Sequence, residues 1–76
     1  MDIREEIHTG LTKQQAYELM EKGAMITHEY YTENEYLYMV NGIIMDENGH
    51  HMGNRLGDFW QNRQKWETGW MTANAR

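Results

Sequence analysis

The stretch that decides the fold is Tyr36-Leu37-Tyr38-Met39-Val40-Asn41-Gly42-Ile43-Ile44-Met45. Its two apolar runs are rich in the aromatic and β-branched residues that favour β-strands. Asn41-Gly42 joins the runs, and this pair is the strongest short-range signal for a two-residue hairpin, because a type I′ turn needs positive φ at both central residues. The stretch therefore predicts two antiparallel strands, 36–40 and 43–45.

Upstream of the hairpin, the chain keeps a period of two. β-Branched and aromatic residues are frequent in residues 24–31, and two sets alternate there: Ala24, Ile26, His28 and Tyr30 with Met25, Thr27, Glu29 and Tyr31. The polar segment Thr32-Glu33-Asn34-Glu35 separates them from the hairpin. Alternation over this length is typical of a strand with one face on the core. We therefore predict a first strand over 24–31 and a turn over 32–35.

Further upstream, the sequence predicts a helix over residues 13–22. Thr12-Lys13-Gln14-Gln15 is a capping box, in which the Thr12 hydroxyl and the Gln15 amide each satisfy a free backbone N–H at the start of the helix. Leu11 before the cap and Ala16 after it are spaced as a hydrophobic staple. Gly23 supplies the left-handed residue that commonly ends a helix.

Downstream of the hairpin, the expected elements are short. Asp46-Glu47-Asn48-Gly49 predicts a turn, and residues 50–52 a brief fourth strand. Asp58 is placed to cap a short helix, and residues 66–71 read as an edge strand. The predicted fold class is α+β, with an N-terminal helix packed on a small antiparallel β-meander, a short second helix and a C-terminal strand. Residues 1–10 are expected to form a flexible N-terminal arm, and 11–76 a single domain.

Composition limits what the chain can be. Its 76 residues include no Cys, so a small core must be stabilised by large side chains or by oligomerisation, and we expect a homodimer or higher homo-oligomer. Seven Met, five Tyr and three Trp supply the apolar area. No apolar run reaches the roughly 20 residues of a membrane span, and the first residues lack the features of a signal peptide. The expected location is the cytoplasm, without membrane association.

Charge is unevenly distributed along the chain. Between Glu18 and Glu47 seven acids face one Lys, whereas the residues from Asn48 onward carry a net charge of +2. An acidic segment does not bind a phosphate backbone, which needs clustered Lys and Arg. It suits a basic protein surface instead, or it serves only to keep the protein soluble.

Catalytic and metal chemistry lack the residues they need. The chain has neither Ser nor Cys, so the usual acyl-transfer nucleophiles are missing, and no Gly-rich phosphate loop is present. His50 and His51 are neighbours that point to opposite faces of a strand, which disfavours shared ligation of one ion; His50 with His28 or Asp46 is the remaining option. We expect no enzyme activity, no cofactor and no metal.

Aromatic residues form the more informative pattern. Tyrosines crowd the acidic turn, and strand alternation cannot bury all of them, so one or two should be exposed as binding anchors. The predicted partner-binding residues are Glu29, Tyr30, Tyr31, Glu33, Glu35 and Tyr36. A second aromatic group near the C-terminus marks a candidate ligand site, formed by Trp60, Arg63, Trp66 and Trp70. Core packing is the competing explanation for both groups.

The order of motifs resembles short proteins of bacteriophages and prophages. The resemblance runs from Leu11 to Met71 and rests on Leu11-Thr12, Gly23, Ile26-Thr27-His28-x-Tyr30-Tyr31, Asn41-Gly42, Asp46-x-x-Gly49, Phe59-Trp60 and Trp66-Glu67-Thr68-Gly69-Trp70. It implies a phage accessory protein, a class in which many members disable a host defence system such as CRISPR–Cas. A weaker similarity, in the opening helix and the strand Tyr36-Leu37-Tyr38, links the chain to the Thoeris anti-defence family that sequesters cyclic nucleotide signals.

Three functions remain open at this point. The first is a phage-encoded inhibitor whose acidic, Tyr-rich surface blocks a bacterial immune protein, for example a complex that handles nucleic acid, without binding nucleic acid itself. The second is an oligomeric sponge that holds a cyclic nucleotide between aromatic rings, with Arg55, Arg63 or Lys65 on the phosphates. The third is a structural or assembly partner of other phage proteins.

Overall fold

The computed structural model describes residues 5–76 and shows one helix packed on a four-stranded antiparallel sheet. The strand order is β3-β2-β1-β4, so β1 to β3 form a meander and the last strand returns to the free side of β1. The predicted α+β class is confirmed. The elements are α1 (Lys13–Glu21), β1 (Ile26–His28), β2 (Leu37–Val40), β3 (Ile43–Asp46), the π-helical turn α2 (Phe59–Arg63), β4 (Trp70–Thr72) and a closing 3₁₀ turn (Ala73–Ala75).

The start of α1 is set by the capping box. The Gln15 N–H donates to the Thr12 hydroxyl at 3.1 Å, and the Thr12 N–H donates to the Gln15 side chain at 2.9 Å. The helix ends at Lys22, and Gly23 follows with φ +104°. Ala16, Tyr17 and Met20 form its buried face against the sheet. The helix predicted over 13–22 is therefore confirmed, with Lys22 as its C-cap.

The hairpin also agrees with the prediction. Asn41 has φ +49° and Gly42 φ +81°, the two positive values that a type I′ turn requires. Val40 pairs with Ile43 across this turn, and the ladder continues to Leu37 opposite Asp46. Local sequence alone therefore sets the register of β2 and β3.

The first strand is shorter than its alternating pattern predicts. Only residues 26–28 are extended, and all three side chains are buried. The side chains are buried because β1 is a central strand, between β2 and β4. The polar group of Thr27 is satisfied there, since its hydroxyl donates to the Glu35 carbonyl at 2.8 Å. The chain then leaves the sheet, since the Tyr31 N–H donates back to the His28 carbonyl at 2.9 Å.

Both edges of the sheet are flanked by extended chain. Beside β3, the Ile44 N–H donates to the Gly53 carbonyl and the Met52 N–H to the Ile44 carbonyl. The fourth strand predicted at 50–52 is thus reduced to a single bridge between Met45 and His51. Beside β4, Leu11 exchanges hydrogen bonds with Trp70.

The described end of the predicted arm, residues 1–10, continues this pairing. The Thr72 N–H donates to the His8 carbonyl at 2.9 Å, and the His8 N–H donates to the Thr72 hydroxyl at 3.0 Å. The rest of the arm, before Glu5, lies outside the described residues. Backbone groups of β4 are therefore already paired on the side away from β1.

Asp58 does not cap α2 as the sequence predicted. Its side chain makes no hydrogen bond to the backbone of the turn; it accepts instead from the Asn62 amide at 2.9 Å and from Arg63 Nε at 3.2 Å. The turn is π-helical, and it closes with the Gln64 N–H donating to the Phe59 carbonyl at 3.2 Å. Asp58 already has helical φ and ψ, and a cap needs an extended backbone.

Asp46 organises the turn after β3. One carboxylate oxygen accepts the backbone N–H groups of Asn48 and His50, both at 2.9 Å, and the other lies 3.2 Å from the His50 imidazole. These contacts, the His50 backbone N–H above all, hold the pKa of Asp46 below its ordinary value of 3.8. Each of them favours the ionised carboxylate.

Stability should therefore depend on the charge of Asp46. The folded pKa is lower than the unfolded one, so the stabilisation is complete above pH 3.8 and is lost as the pH falls through the folded pKa. We expect Asp46→Asn to lower the urea midpoint by a constant amount between about pH 7 and about pH 5, and the gap to close in stronger acid. Glu33→Gln, at an exposed carboxylate, is the control. A gap that persists at about pH 2 would show that the charge contributes nothing.

Candidate functional site

A buried histidine organises the aromatic residues at the end of β1. His28 is fully buried; its Nε2 lies 2.8 Å from the Thr68 carbonyl, and its Nδ1 accepts the Tyr30 N–H at 3.1 Å. A carbonyl can only accept and a backbone N–H can only donate, so this geometry places a proton on Nε2 and uses Nδ1 as an acceptor. Both nitrogens are thus used, and His28 is a packing residue rather than a ligand.

Four aromatic rings surround this imidazole. Trp66 stacks on it with centroids 4.2 Å apart, and Trp70 meets it edge-on at 4.9 Å. Tyr30 and Tyr31 lie at 5.4 and 6.1 Å. We call these five residues, His28, Tyr30, Tyr31, Trp66 and Trp70, the aromatic cluster.

The outer part of the cluster reaches the surface. Tyr30 is 71% exposed and Trp66 36% exposed, with ring centroids 5.7 Å apart. We call this pair the aromatic rim. Tyr30 is held by its backbone N–H bond to His28, and Trp66 by stacking on the same imidazole. The expectation that at least one tyrosine of the acidic turn is exposed is confirmed by Tyr30.

The inner part of the cluster belongs to the core. Trp70 is fully buried, and its indole N–H donates to the Trp66 carbonyl at 2.9 Å. Tyr31 is half-buried, and its hydroxyl donates to the Gln64 side chain. Burial raises the pKa of Tyr31, and the carboxylates of Glu35 and Glu47 raise it further. Tyr31 therefore stays a neutral hydrogen-bond donor and leaves only part of its ring for a partner.

The three predicted glutamates differ in what they contact. Glu29 and Glu33 are exposed. Glu35 is half-buried, and its carboxylate accepts the Thr32 N–H at 3.0 Å, which closes the turn. Glu29 and Glu33 can thus act on a partner, whereas Glu35 holds the loop that carries them.

Tyr36 lies apart from the aromatic cluster. It directly precedes β2, is half-buried, and packs against Tyr38 with ring centroids 6.1 Å apart. The predicted partner-binding set is therefore divided, with Glu29, Tyr30 and Tyr31 around the cluster and Tyr36 beside Tyr38.

The candidate ligand residues do not converge on one pocket. Trp60 and Trp70 are buried with ring centroids 5.3 Å apart and belong to the core, whereas Trp66 joins Tyr30 at the rim. Arg63 is exposed and pairs with Asp58 at 3.2 Å. Trp60 and Arg55 do meet, in a groove beside α1 with a volume of about 320 Å³.

The sequence reasoning missed most residues of this groove, among them Lys13, Tyr17 and Glu67. Lys13 and Tyr17 are spaced i, i+4, so they share a helix face, and that spacing was the signal that could have joined them. No local pattern places Glu67 in the groove, because it is far from α1 in the sequence. Its backbone carbonyl accepts the Lys13 N–H at 2.9 Å, and this hydrogen bond holds it beside the helix.

Two further histidines, His50 and His51, lie at the surface. His50 and His51 are exposed on the turn after β3, and His50 contacts Asp46. Within residues 5–76, no group of three or more His, Asp or Glu side chains is arranged to hold a metal ion. In the same part of the chain, no helix combines the length and apolar character needed to cross a membrane.

Comparison with known protein families, with curated proteins and with solved structures finds no match for this chain. The aromatic rim and its glutamates therefore have to be interpreted from their own geometry and chemistry.

Proposed function

We propose that this protein is a phage-encoded inhibitor that binds a basic surface of a bacterial immune protein and blocks it. The observation that carries the proposal is the aromatic rim, in which Tyr30 keeps 71% of its surface exposed although its backbone is fixed by the buried His28. Large exposed aromatic side chains that are held rigid are typical of binding hot spots, because little entropy is lost when they are covered.

Charge around the rim supports a basic partner. Glu29 and Glu33 are exposed on the turn that carries Tyr30, and Glu67 is exposed next to Trp66. Carboxylates placed around an aromatic anchor steer a positively charged surface and reject an acidic one. The basic groove of a nucleic-acid-handling complex is such a surface, and a protein that occupies it excludes the nucleic acid.

Binding through side chains fits the sheet as well. Chain segments already pair with β3 and β4 on their outer sides, at Ile44 and at Trp70. Addition of a partner strand to these positions would first have to displace those segments. We therefore assign recognition to the rim rather than to a sheet edge.

The cations needed by a nucleotide sponge are dispersed. Arg63 pairs with Asp58, and Lys65 is exposed. Arg55 reaches the groove beside α1, but three glutamates line the same groove. These positions give less support to phosphate binding than the rim gives to a protein partner.

The first experiment is capture of partners from bacterial lysate with the tagged protein, followed by mass spectrometry and by analysis of the sample for bound nucleotides. A single host immune protein that competes with nucleic acid for binding would support the proposal. A bound cyclic nucleotide without a protein would favour the sponge, and retention of phage structural proteins would favour an assembly role. Either result would overturn the inhibitor.

With the captured partner, variants of the rim give a quantitative prediction. We expect Tyr30→Ala to raise the Kd by about 30-fold, as for loss of a central aromatic anchor worth about 2 kcal/mol. The double reversal Glu29→Lys/Glu33→Lys should slow association at least about tenfold and flatten its dependence on salt. Surface plasmon resonance at several salt concentrations measures both effects.

Controls separate the rim from general charge. Glu35 stays unchanged because it closes the turn through the Thr32 N–H. Glu5→Lys reverses an exposed glutamate in another part of the sequence and should change association much less. Equal slowing by Glu5→Lys and by a single reversal at Glu29 would show that net charge alone governs binding.

A further inference from the structure

A groove lies between α1 and the segment that connects β3 to β4. Its volume is about 320 Å³. Two aromatic rings, two cations and three carboxylates line it: Tyr17, Trp60, Lys13, Arg55, Glu18, Glu21 and Glu67. Aromatic rings with carboxylates beside them are a chemical environment suited to a cation.

The two rings already carry cations of the chain itself. Tyr17 and Trp60 lie with centroids 5.7 Å apart; the Arg55 guanidinium is 5.8 Å from the Tyr17 ring and the Lys13 ammonium 5.4 Å from the Trp60 ring. Both distances are within the range of cation–π attraction. Both rings of the groove therefore already bind a positively charged side chain of the protein.

The two cations are held differently. Lys13 also donates to the Gln64 carbonyl at 2.7 Å, so removing it from Trp60 would break that hydrogen bond. Arg55 is an exposed residue, and its hydrogen bond to Gln61 is made by the backbone carbonyl, which leaves the guanidinium to the Tyr17 ring. Arg55 is therefore the displaceable occupant.

The carboxylates of the groove can attract a further cation from a partner. Glu18, Glu21 and Glu67 are exposed, and none is within ion-pair distance of a cation in the described part of the chain. Glu21 and Arg55 act in opposite directions on Tyr17, whose pKa is raised by burial first, raised further by Glu21 and lowered by Arg55. Both charges thus lie near the phenol, one attracting and one repelling a second cation.

We propose that this groove binds an arginine side chain of a basic peptide segment, which replaces Arg55 over the Tyr17 ring and pairs with Glu21 and Glu67. The inference rests on the proposed function and names the chemistry of the partner segment. The rim and the groove share a stretch of chain, because Trp66 of the rim is followed directly by Glu67 of the groove and both are exposed. A partner that covers the rim can therefore extend a basic segment into the groove.

The probe is a blocked tri-arginine peptide, with a blocked tri-glutamate peptide as the opposite charge. Binding is followed by NMR through the indole N–H signals, since Trp60 reports the groove and Trp66 the rim. We expect the arginine peptide to shift the Trp60 signal. Glu21→Gln/Glu67→Gln should weaken its binding by about threefold to tenfold, the range for loss of two partly exposed charge contacts.

Arg55→Gln gives the most discriminating result. Since it removes both the internal competitor and a repelling charge, we expect the arginine peptide to bind about threefold tighter. The matched control is Arg63→Gln, an exposed arginine outside the groove that pairs with Asp58 and should leave the affinity unchanged. Thermal melts establish that all variants are folded.

Three outcomes would overturn the inference. The first is weaker binding of tri-arginine to Arg55→Gln, and the second is preferential binding of the tri-glutamate peptide, which would assign the groove to anions. The third is a shift of Trp66 with Trp60 unmoved, which would leave the proposed rim function intact and remove only the groove. A shift of Trp60 with Trp66 unmoved would support the groove, and the rim is then tested separately by capture of the partner from lysate.

Discussion

Trp70→Ala is expected to abolish the folded state at 25 °C or leave it marginal. The ring is fully buried and contacts three rings from two separate parts of the chain, Trp60 at 5.3 Å, His28 at 4.9 Å and Tyr31 at 5.9 Å between centroids. Truncation of a buried tryptophan to alanine costs about 3–5 kcal/mol, and a chain of this length has a total stability at the low end of the usual range of about 5–15 kcal/mol. Urea unfolding followed by circular dichroism measures the loss.

A milder pair of variants keeps this prediction testable if the alanine variant does not fold. Trp70→Phe keeps an aromatic ring but loses the indole N–H that donates to the Trp66 carbonyl at 2.9 Å, so we expect a loss of about 1–3 kcal/mol. Trp66→Phe, at a ring that is 36% exposed, should cost less than half as much. Equal losses at the two positions would contradict the central role of Trp70.

Gly69→Ala is expected to cost about 2–4 kcal/mol, the second largest effect. Gly69 has φ +88°, and an added Cβ would lie 2.9 Å from His28 Nε2 and 3.0 Å from the Glu29 carboxyl carbon. The imidazole cannot retreat, because it is stacked on Trp66 and bound to the Thr68 carbonyl. The same substitution should therefore also displace the aromatic rim.

The matched control is Gly49→Ala. Gly49 has φ +80°, but a Cβ there would meet nothing within 4 Å. It isolates the backbone cost of about 1 kcal/mol, and the remainder of the Gly69→Ala effect is the steric overlap. Similar urea midpoints for the two variants would show that His28 and Glu29 yield easily. In that case the rim is less rigid than its function requires.

These two positions connect stability with the proposed function. Gly69 and Trp70 lie at the start of β4, where the backbone passes close beneath His28. His28 in turn holds Tyr30 by a backbone hydrogen bond and Trp66 by stacking. Rim geometry is therefore set by residues that no partner touches, and partner affinity should fall in Gly69→Ala even where the protein remains folded.

Elements decided within a few residues were predictable. The helix start follows from Thr12 and Gln15, which are three residues apart, and the hairpin from Asn41-Gly42. In both cases the hydrogen-bonding partners or the required dihedral angles lie in the same short segment, so the sequence itself carries the information. The exposure of at least one tyrosine at the acidic turn was predicted in a similar way, because alternation left too many tyrosines for one buried face; the structure shows that it is Tyr30.

The errors arose where neighbouring groups in the chain compete for the same hydrogen bonds. The strand predicted over 24–31 ends at His28 because the His28 side chain and carbonyl capture the next backbone N–H groups, those of Tyr30 and Tyr31. Asp58 failed as a cap because Asn62 and Arg63 take its carboxylate. The alternation of side chains and the capping pattern do not show which of these competing hydrogen bonds forms.

The sequence by itself thus determined the α+β class, the helix, the hairpin and the acidic, aromatic character of the surface. Tertiary structure alone decided that Trp70 is core and Trp66 is rim, since that depends on β1 pairing His28 with Trp70, 42 positions later in the chain. It also formed the groove, by bringing Arg55 and Glu67 to a helix that begins at Lys13. The physical reason is that the burial of a side chain depends on which elements pack against it. The same residue type, such as Trp, can lie in the core or at the surface, and the sequence does not distinguish the two before the elements pack.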